Sequence, residues 1–285
     1  AHAVHAGSNV GTRLDGGGLR SVDGSFLTRF DLDGVERREF GYGFVAVHRA
    51  DLQRVLLEAL DADVRTGMDC VSVVRTDPPV ARFADGTTAS PDLLVGADGI
   101  HSAVREAVAP GVEPRSIDGV AYRALVDLDV PAPYDRQGFE VWGDGTYTGG
   151  SPVGEDRSYW FATAPAELTV PDAPPEAVGR ALREYLAGYP EPVPALLDAL
   201  DPAEVVVTDL ADLPALETWS RDRVVIAGDA ADDPAVAATE SALAEFESAA
   251  GGAWTDALGD AVSDATVAEM DDEAQERLRD LGYLE

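Results

Sequence analysis

Two segments of the chain place a carboxylate where an apolar strand runs out. Leu94, Val95 and Gly96 lead into Asp98-Gly99, and Val224, Val225 and Ile226 lead into Gly228-Asp229. In a parallel sheet, ligands sit beyond the carboxyl ends of the strands. A carboxylate there accepts hydrogen bonds from sugar hydroxyls, and an adjacent glycine lets the backbone approach a pyrophosphate. Ser102 is a helix-capping residue type, which predicts a helix from there through Arg105 and Val108. That helix start would face a phosphate, with Arg105 as the nearby cation, while Gly228-Asp229 suits a ribose or ribityl contact. A lone Asp-Gly is most often an ordinary turn. Two such ends in one chain point further, to a sugar-phosphate ligand.

Other chemistries find little support. His2 and His5 stand at i, i+3 without a carboxylate partner, so no metal site is expected, and His101 reads as a loop residue. No G-x-S-x-G elbow, Walker loop or paired-cysteine motif occurs. Cys70 is the single cysteine, which excludes an intramolecular disulfide. No catalytic side chain is assigned.

The elements that must hold these ends are legible from periodicity. Residues 18–33 read as a hairpin turning at Asp23-Gly24. Leu52, Val55, Leu56, Ala59 and Leu60 form one apolar helix face beginning at Arg49. Strand-like runs follow at 70–74 and 80–84, with a turn at Asp85-Gly86. Residues 119–163, rich in Gly, Tyr, Trp and β-branched types, read as a meandering antiparallel sheet. A helix is expected at 175–187, then a proline-punctuated passage at 190–202.

Charge sets further bounds. The 285 residues hold 21 Arg and no Lys against 53 acids, 33 of them Asp, for a net charge of −32. Such a chain repels nucleic acid. The acids run along the whole sequence, as in proteins of salt-rich cytoplasms, where screening removes the self-repulsion. Below molar salt the chain is expected to lose compactness; a circular dichroism signal indifferent to salt would count against this. No stretch approaches the roughly 20 apolar residues of a membrane span, so a cytoplasmic protein is expected, and the first residue, Ala1, is not read as the natural start.

The string DLLVGADGIHSAVRE (92–106) resembles the Asp-Gly motif of the FAD-dependent aromatic hydroxylases, the para-hydroxybenzoate hydroxylase-like monooxygenases. DRVVIAGDAA (222–231) is similar to their Gly-Asp motif. VHRADLQRVLLEAL (47–60), FADGTT (83–88), YWFAT (159–163) and TDLADLPALETWSRDRV (208–224) occur around them in the expected order. The resemblance spans roughly residues 15–231. It implies an α/β fold: a Rossmann-like FAD-binding domain with an antiparallel-sheet substrate domain. It also implies FAD as cofactor, NAD(P)H as co-substrate, and hydroxylation of an aromatic or related small molecule with oxygen. On this chain Asp229, with Gly228, would hold the ribityl chain or ribose, Asp98, Gly99 and Arg105 would lie along the pyrophosphate, and Arg49 would reach the flavin from the substrate side. A solvated charge is the plain alternative for Arg49. Tyr122, Arg123, Trp142, Tyr147 and Trp160 would line the substrate pocket, with sheet-face packing the alternative for each.

Three departures qualify the resemblance. No strand leads into a GxGxxG turn, since Asp15-Gly16-Gly17-Gly18 follows no apolar strand, so the first βαβ unit is expected to be missing and FAD to bind weakly or not at all. After Ala231 the family continues with His and a Pro- and Gly-rich loop, where this chain has Asp232-Asp233-Pro234 and a stretch with 15 acids against two Arg. The ending ERLRDLGYLE (276–285) resembles the last residues of sulfatase-like hydrolases, without the metal- or nucleophile-bearing segments of such enzymes. The expected organisation is therefore an N-terminal remnant with a substrate-domain hairpin (1–41), FAD-binding parts at 42–118 and 205–231, a substrate sheet and helix at 119–204, and an acidic tail at 232–285. Two readings of another class stay open: a non-catalytic remnant without cofactor, and a sugar- or nucleotide-binding module using the same two Asp-bearing ends. Oligomeric state and substrate identity are not legible.

Overall fold

A computed structural model describes residues 10–32, 43–143, 145–154, 156–165 and 173–231. His2, His5, the 232–285 tail and the sulfatase-like ending lie outside them. In chain order the strands are β1 (Thr12–Arg13), β2 (Gly16–Ser21), β3 (Phe26–Phe30), β4 (Val45–Ala46), β5 (Cys70–Val74), β6 (Val80–Phe83), β7 (Thr88–Ala89), β8 (Leu94–Gly96), β9 (Arg115–Val126), β10 (Gln137–Gly143), β11 (Thr146–Pro152), β12 (Ser158–Pro165), β13 (Val206–Asp212), β14 (Ser220–Arg221) and β15 (Val224–Ile226). The helices are α1 (Arg49–Ala59), α2 (Arg105–Val108), α3 (Pro175–Tyr185) and α4 (Val193–Ala199). The described residues divide into two compact units, one within 10–61 and 118–209, the other within 62–117 and 210–231.

The first unit is built on a seven-stranded sheet in the order β13-β9-β12-β11-β10-β2-β3. Its pairings β10–β11, β11–β12, β12–β9 and β2–β3 are antiparallel, as the meander predicts. The hairpin joins this meander through β2, which lies parallel to β10. The predicted hairpin forms, with Gly24 at φ +85 and the Asp23 side chain accepting from Ser25 N. One sheet face is dry. Val120, Tyr122, Ala124, Phe139, Val141, Trp160 and Ala162 pack there against Leu182 and Leu186 of the α3 region and Val193, Leu196 and Leu197 of α4.

α4 falls inside the passage read only as proline-punctuated. Val193, Leu196, Leu197 and Leu200 are spaced i, i+3, i+4 and i+7, and Pro194 sits in its first turn, where a missing N–H costs nothing. The apolar stripe of α1 is less fully used than expected. Within it Val55 is buried, while Leu56 and the adjoining Leu60 are exposed.

The second unit holds two three-stranded sheets, β14-β15-β8 and β5-β6-β7. Leu94, Val224 and Ile226 pack with Val104, Val108 and Trp219 into its core. Gly96 permits this packing, because a Cβ there would overlap the Val104 side chain. No described helix is long and apolar enough to cross a membrane.

Candidate functional site

β8 and β15 pair in parallel, with Leu94 opposite Val224 and Gly96 opposite Ile226. Ala227 N donates to Gly96 O at 2.9 Å, which continues the pairing one step past both strands. The two acidic ends therefore emerge side by side at one edge of the second unit, the position where parallel sheets receive ligands.

The two carboxylates then part company. Gly228, at φ +59, starts a single 3-10 turn over Gly228–Ala230, closed by Ala231 N donating to Gly228 O at 2.8 Å. This left-handed backbone is cheap only for glycine. Asp229 sits on the outside of the turn, exposed, and its carboxylate accepts no hydrogen bond among the described residues. It is available to hydroxyl donors.

Asp98 is not. Its Oδ1 accepts from the Ser102 hydroxyl at 2.5 Å, and its Oδ2 accepts from Ala103 N at 2.9 Å and Val104 N at 3.3 Å. Ser102 Oγ in turn accepts at 2.9 Å from the backbone N of Arg105, the first residue of α2, while the N-cap position itself falls to Val104 and not to Ser102 as expected. The predicted helix is the single turn α2, and the N–H groups that would have faced a phosphate are spent on Asp98 and Ser102.

Arg105 is employed inside the unit as well. It is 3% exposed, and its guanidinium donates to Ile100 O (2.6 Å), Ala230 O (3.2 Å) and Val112 O (3.3 Å). It ties the loop after β8 to the turn after β15. A cation offered to pyrophosphate would need an exposed head; this one is a buried clasp. Gly99, at φ +83, has open space around its Cα and supplies the reversal that lets Asp98 fold back on its own loop.

The remaining sequence candidates lie in the first unit. Arg49 is exposed at the first residue of α1. On the sheet, strand parity decides the rest, since neighbours along a strand face opposite ways. Tyr122 and Trp160 point to the dry face, at 6% and 0% exposure, and belong to the core. Arg123, Trp142 and Tyr147 lie on the other, open face. There Arg123 donates to the Thr208 hydroxyl at 2.5 Å, Trp142 Nε1 donates to Glu140 at 2.9 Å, and Tyr147 meets Phe161 edge-on with ring centroids 5.6 Å apart.

Beside them the open face holds a cavity of about 340 Å³. Leu19, Phe30, Phe44, Tyr159 and Phe161 supply its apolar and aromatic wall, and Glu140 is the one charged residue lining it among the described residues. None of the five predicted pocket residues lines it. The signal that could have found it was register: Glu140, Tyr159 and Phe161 share a face with Arg123, Trp142 and Tyr147, whereas Trp160 cannot. The Trp160 indole N–H has no partner among the described residues. Trp160→Phe is therefore expected to change stability by less than about 1 kcal/mol, because it also removes a buried donor, and Trp160→Ala to cost about 3–5 kcal/mol. Urea denaturation of both variants checks this, and equal losses would overturn it.

Comparison with known proteins agrees with this geometry. Residues 44–237 match a family described as FAD binding domain. The chain is 31% identical over 78% of its length to aurachin C monooxygenase/isomerase of Stigmatella aurantiaca, of which it covers 57%. It is 36% identical over 65% of its length to FAD-dependent urate hydroxylase of Mycolicibacterium vanbaalenii, of which it covers 48%. The crystal structure of Klebsiella pneumoniae HpxO complexed with FAD and uric acid superposes with a TM-score of 0.70 at 27% identity, over 81% of this chain and 62% of that one. The chain thus spans about half the length of the curated relatives it matches. Paired acidic strand ends, a sheet with one open aromatic face and a family match across both motifs lead to one assignment: the chain belongs to the para-hydroxybenzoate hydroxylase-like family of FAD-dependent aromatic hydroxylases.

Proposed function

We propose that this chain is the FAD-gripping and substrate-holding part of a flavoprotein monooxygenase that hydroxylates a planar aromatic or heteroaromatic small molecule with NAD(P)H and oxygen. The observation that carries the reading is the Asp229 carboxylate, exposed and without a donor among the described residues at the carboxyl end of a parallel strand pair, in the residues that match the FAD binding domain. The residues fit the group in part. Asp229 would accept from the sugar-alcohol hydroxyls, and the open backbone at Gly228 would let the chain pass close to them. Asp98, Gly99 and Arg105 serve FAD indirectly by fixing the turn that carries Asp229. FAD would supply the redox chemistry there, coupling oxidation of NAD(P)H to activation of oxygen, so that one oxygen atom would enter the substrate as a hydroxyl and the other leave as water.

The chain's own part in substrate handling is done by the open sheet face. Aromatic walls stack a flat ring and exclude water, and Glu140 and the Tyr159 phenol offer polar anchors. Urate, named in the description of one relative, is a flat ring of this kind. The test is FAD titration of the full chain in concentrated salt, read by flavin fluorescence, followed by NAD(P)H oxidation with and without aromatic compounds. Saturable flavin binding, weakened by the lack of a GxGxxG turn among these residues, and aromatic-stimulated oxidation are expected. A chain that leaves flavin fluorescence unchanged overturns the reading in favour of a non-catalytic one.

A further inference from the structure

One row of side chains crosses the open face of the seven-stranded sheet. Register places Leu19 of β2, Glu140 of β10, Gly149 of β11, Phe161 of β12 and Arg123 of β9 in line. Gly149 leaves a gap in that row: a Cβ there would press on Glu140 Cγ at 2.8 Å and the Phe161 ring at 3.0 Å. Glu140 therefore lies over the sheet toward Phe161 instead of standing away from it. Its Oε2 accepts from Trp142 Nε1 at 2.9 Å, and its Oε1 has no protein donor among the described residues. Trp142 sits two residues on along the same strand and face, so the indole holds the carboxylate in place.

We propose that Glu140 sets the substrate class of this cavity: a neutral or cationic aromatic ring bearing an N–H or O–H donor is taken, and an aromatic carboxylate is refused. The inference rests on the reading of this cavity as the substrate site. A donor on a ring stacked against Phe161 and Tyr159 meets Oε1, whereas a ring carboxylate meets a like charge beside apolar walls, which costs far more than in water. Arg123 does not offset this. It is three strands away along the row, roughly 14 Å at about 4.8 Å per strand, which exceeds the screening length of about 8 Å at physiological salt. Its guanidinium also donates to Thr208.

Equilibrium dialysis of the full chain, saturated with FAD, against anthranilamide and anthranilate tests this without requiring turnover. The two share a ring and differ in the charge of one substituent. The amide is expected to bind about tenfold tighter or more, and Glu140→Gln to close the gap to within about threefold, mostly by gaining anthranilate. The overall negative charge of the chain also repels anions, and Glu140→Gln separates the two effects because it removes one charge of many. A gap that persists in Glu140→Gln, with circular dichroism unchanged, overturns the proposal, as does anthranilate binding as tightly as the amide to the parent chain. If neither compound binds, the substrate-cavity reading fails and the proposal falls with it. Should the variant not fold, the parent chain compared in molar salt decides, because the overall charge is then screened within about 3 Å while a contact inside the cavity is not: a tenfold preference for the amide that persists there supports the proposal, and one that vanishes refutes it.

Discussion

Replacing Arg105 with alanine is expected to destabilise the second unit by about 3–5 kcal/mol. The side chain is 3% exposed and hydrogen-bonds three backbone carbonyls, those of Ile100, Val112 and Ala230. Truncation leaves three acceptors without their donor and opens a void where a buried side chain stood. A charge this deep is costly to bury, but once the surrounding carbonyls are committed to it, removal costs more than a surface ion pair would contribute. Lysine retains the charge yet presents one point donor in place of a planar fork, so Arg105→Lys should recover less than half of the loss. Urea denaturation at constant high salt, monitored by fluorescence, measures both. An Arg105→Ala variant within about 1 kcal/mol of the parent would show that the clasp is not needed.

Arg105 also shows where reading the sequence stops. An arginine three residues past a helix-capping serine, after Asp-Gly, looks like a phosphate-binding cation. Nothing in its spacing reveals that Ala230, 125 residues away, provides the acceptor that draws it inward. Periodicity and turn chemistry were enough for the elements themselves: the hairpin at Asp23-Gly24, β5, β6 and the Asp85-Gly86 turn that follows it, α1 and α3 all form where those rules place them. Such rules are local, and so were those successes. The parallel pairing of β2 with β10 is a contact between residues more than a hundred apart, and no local pattern carries it.

On the sheet the limit was parity. Tyr159, Trp160 and Phe161 are consecutive aromatics, and the one assigned to the pocket, Trp160, faces the core. Had the β12 register been laid against Ala124 and Gly150, small residues opposite Trp160, the dry face could have been recognised and Tyr159 and Phe161 assigned to the cavity.

The second large effect separates the two aspartates. Asp229→Ala is expected to lower FAD affinity about 10- to 100-fold while leaving stability within about 0.5 kcal/mol, since its carboxylate makes no bond among the described residues to lose. Hydrogen bonds to a charged acceptor contribute about 1.5–3 kcal/mol each when desolvated, which sets that range. Asp98→Ala reverses the order. It strips acceptors from Ser102, Ala103 and Val104 and should cost about 1–2 kcal/mol of stability, the usual penalty for a lost cap. Its effect on FAD then arises through the loosened loop, and it should diminish when high salt or osmolyte restores folding, whereas the Asp229→Ala defect should not. Flavin titration and urea denaturation of both variants give four numbers, and only one pattern is consistent with the geometry. If Asp98→Ala weakens FAD more than Asp229→Ala at full folding, the carboxylate now engaged by Ser102 must release to meet the cofactor, and the division of labour between the two strand ends is wrong.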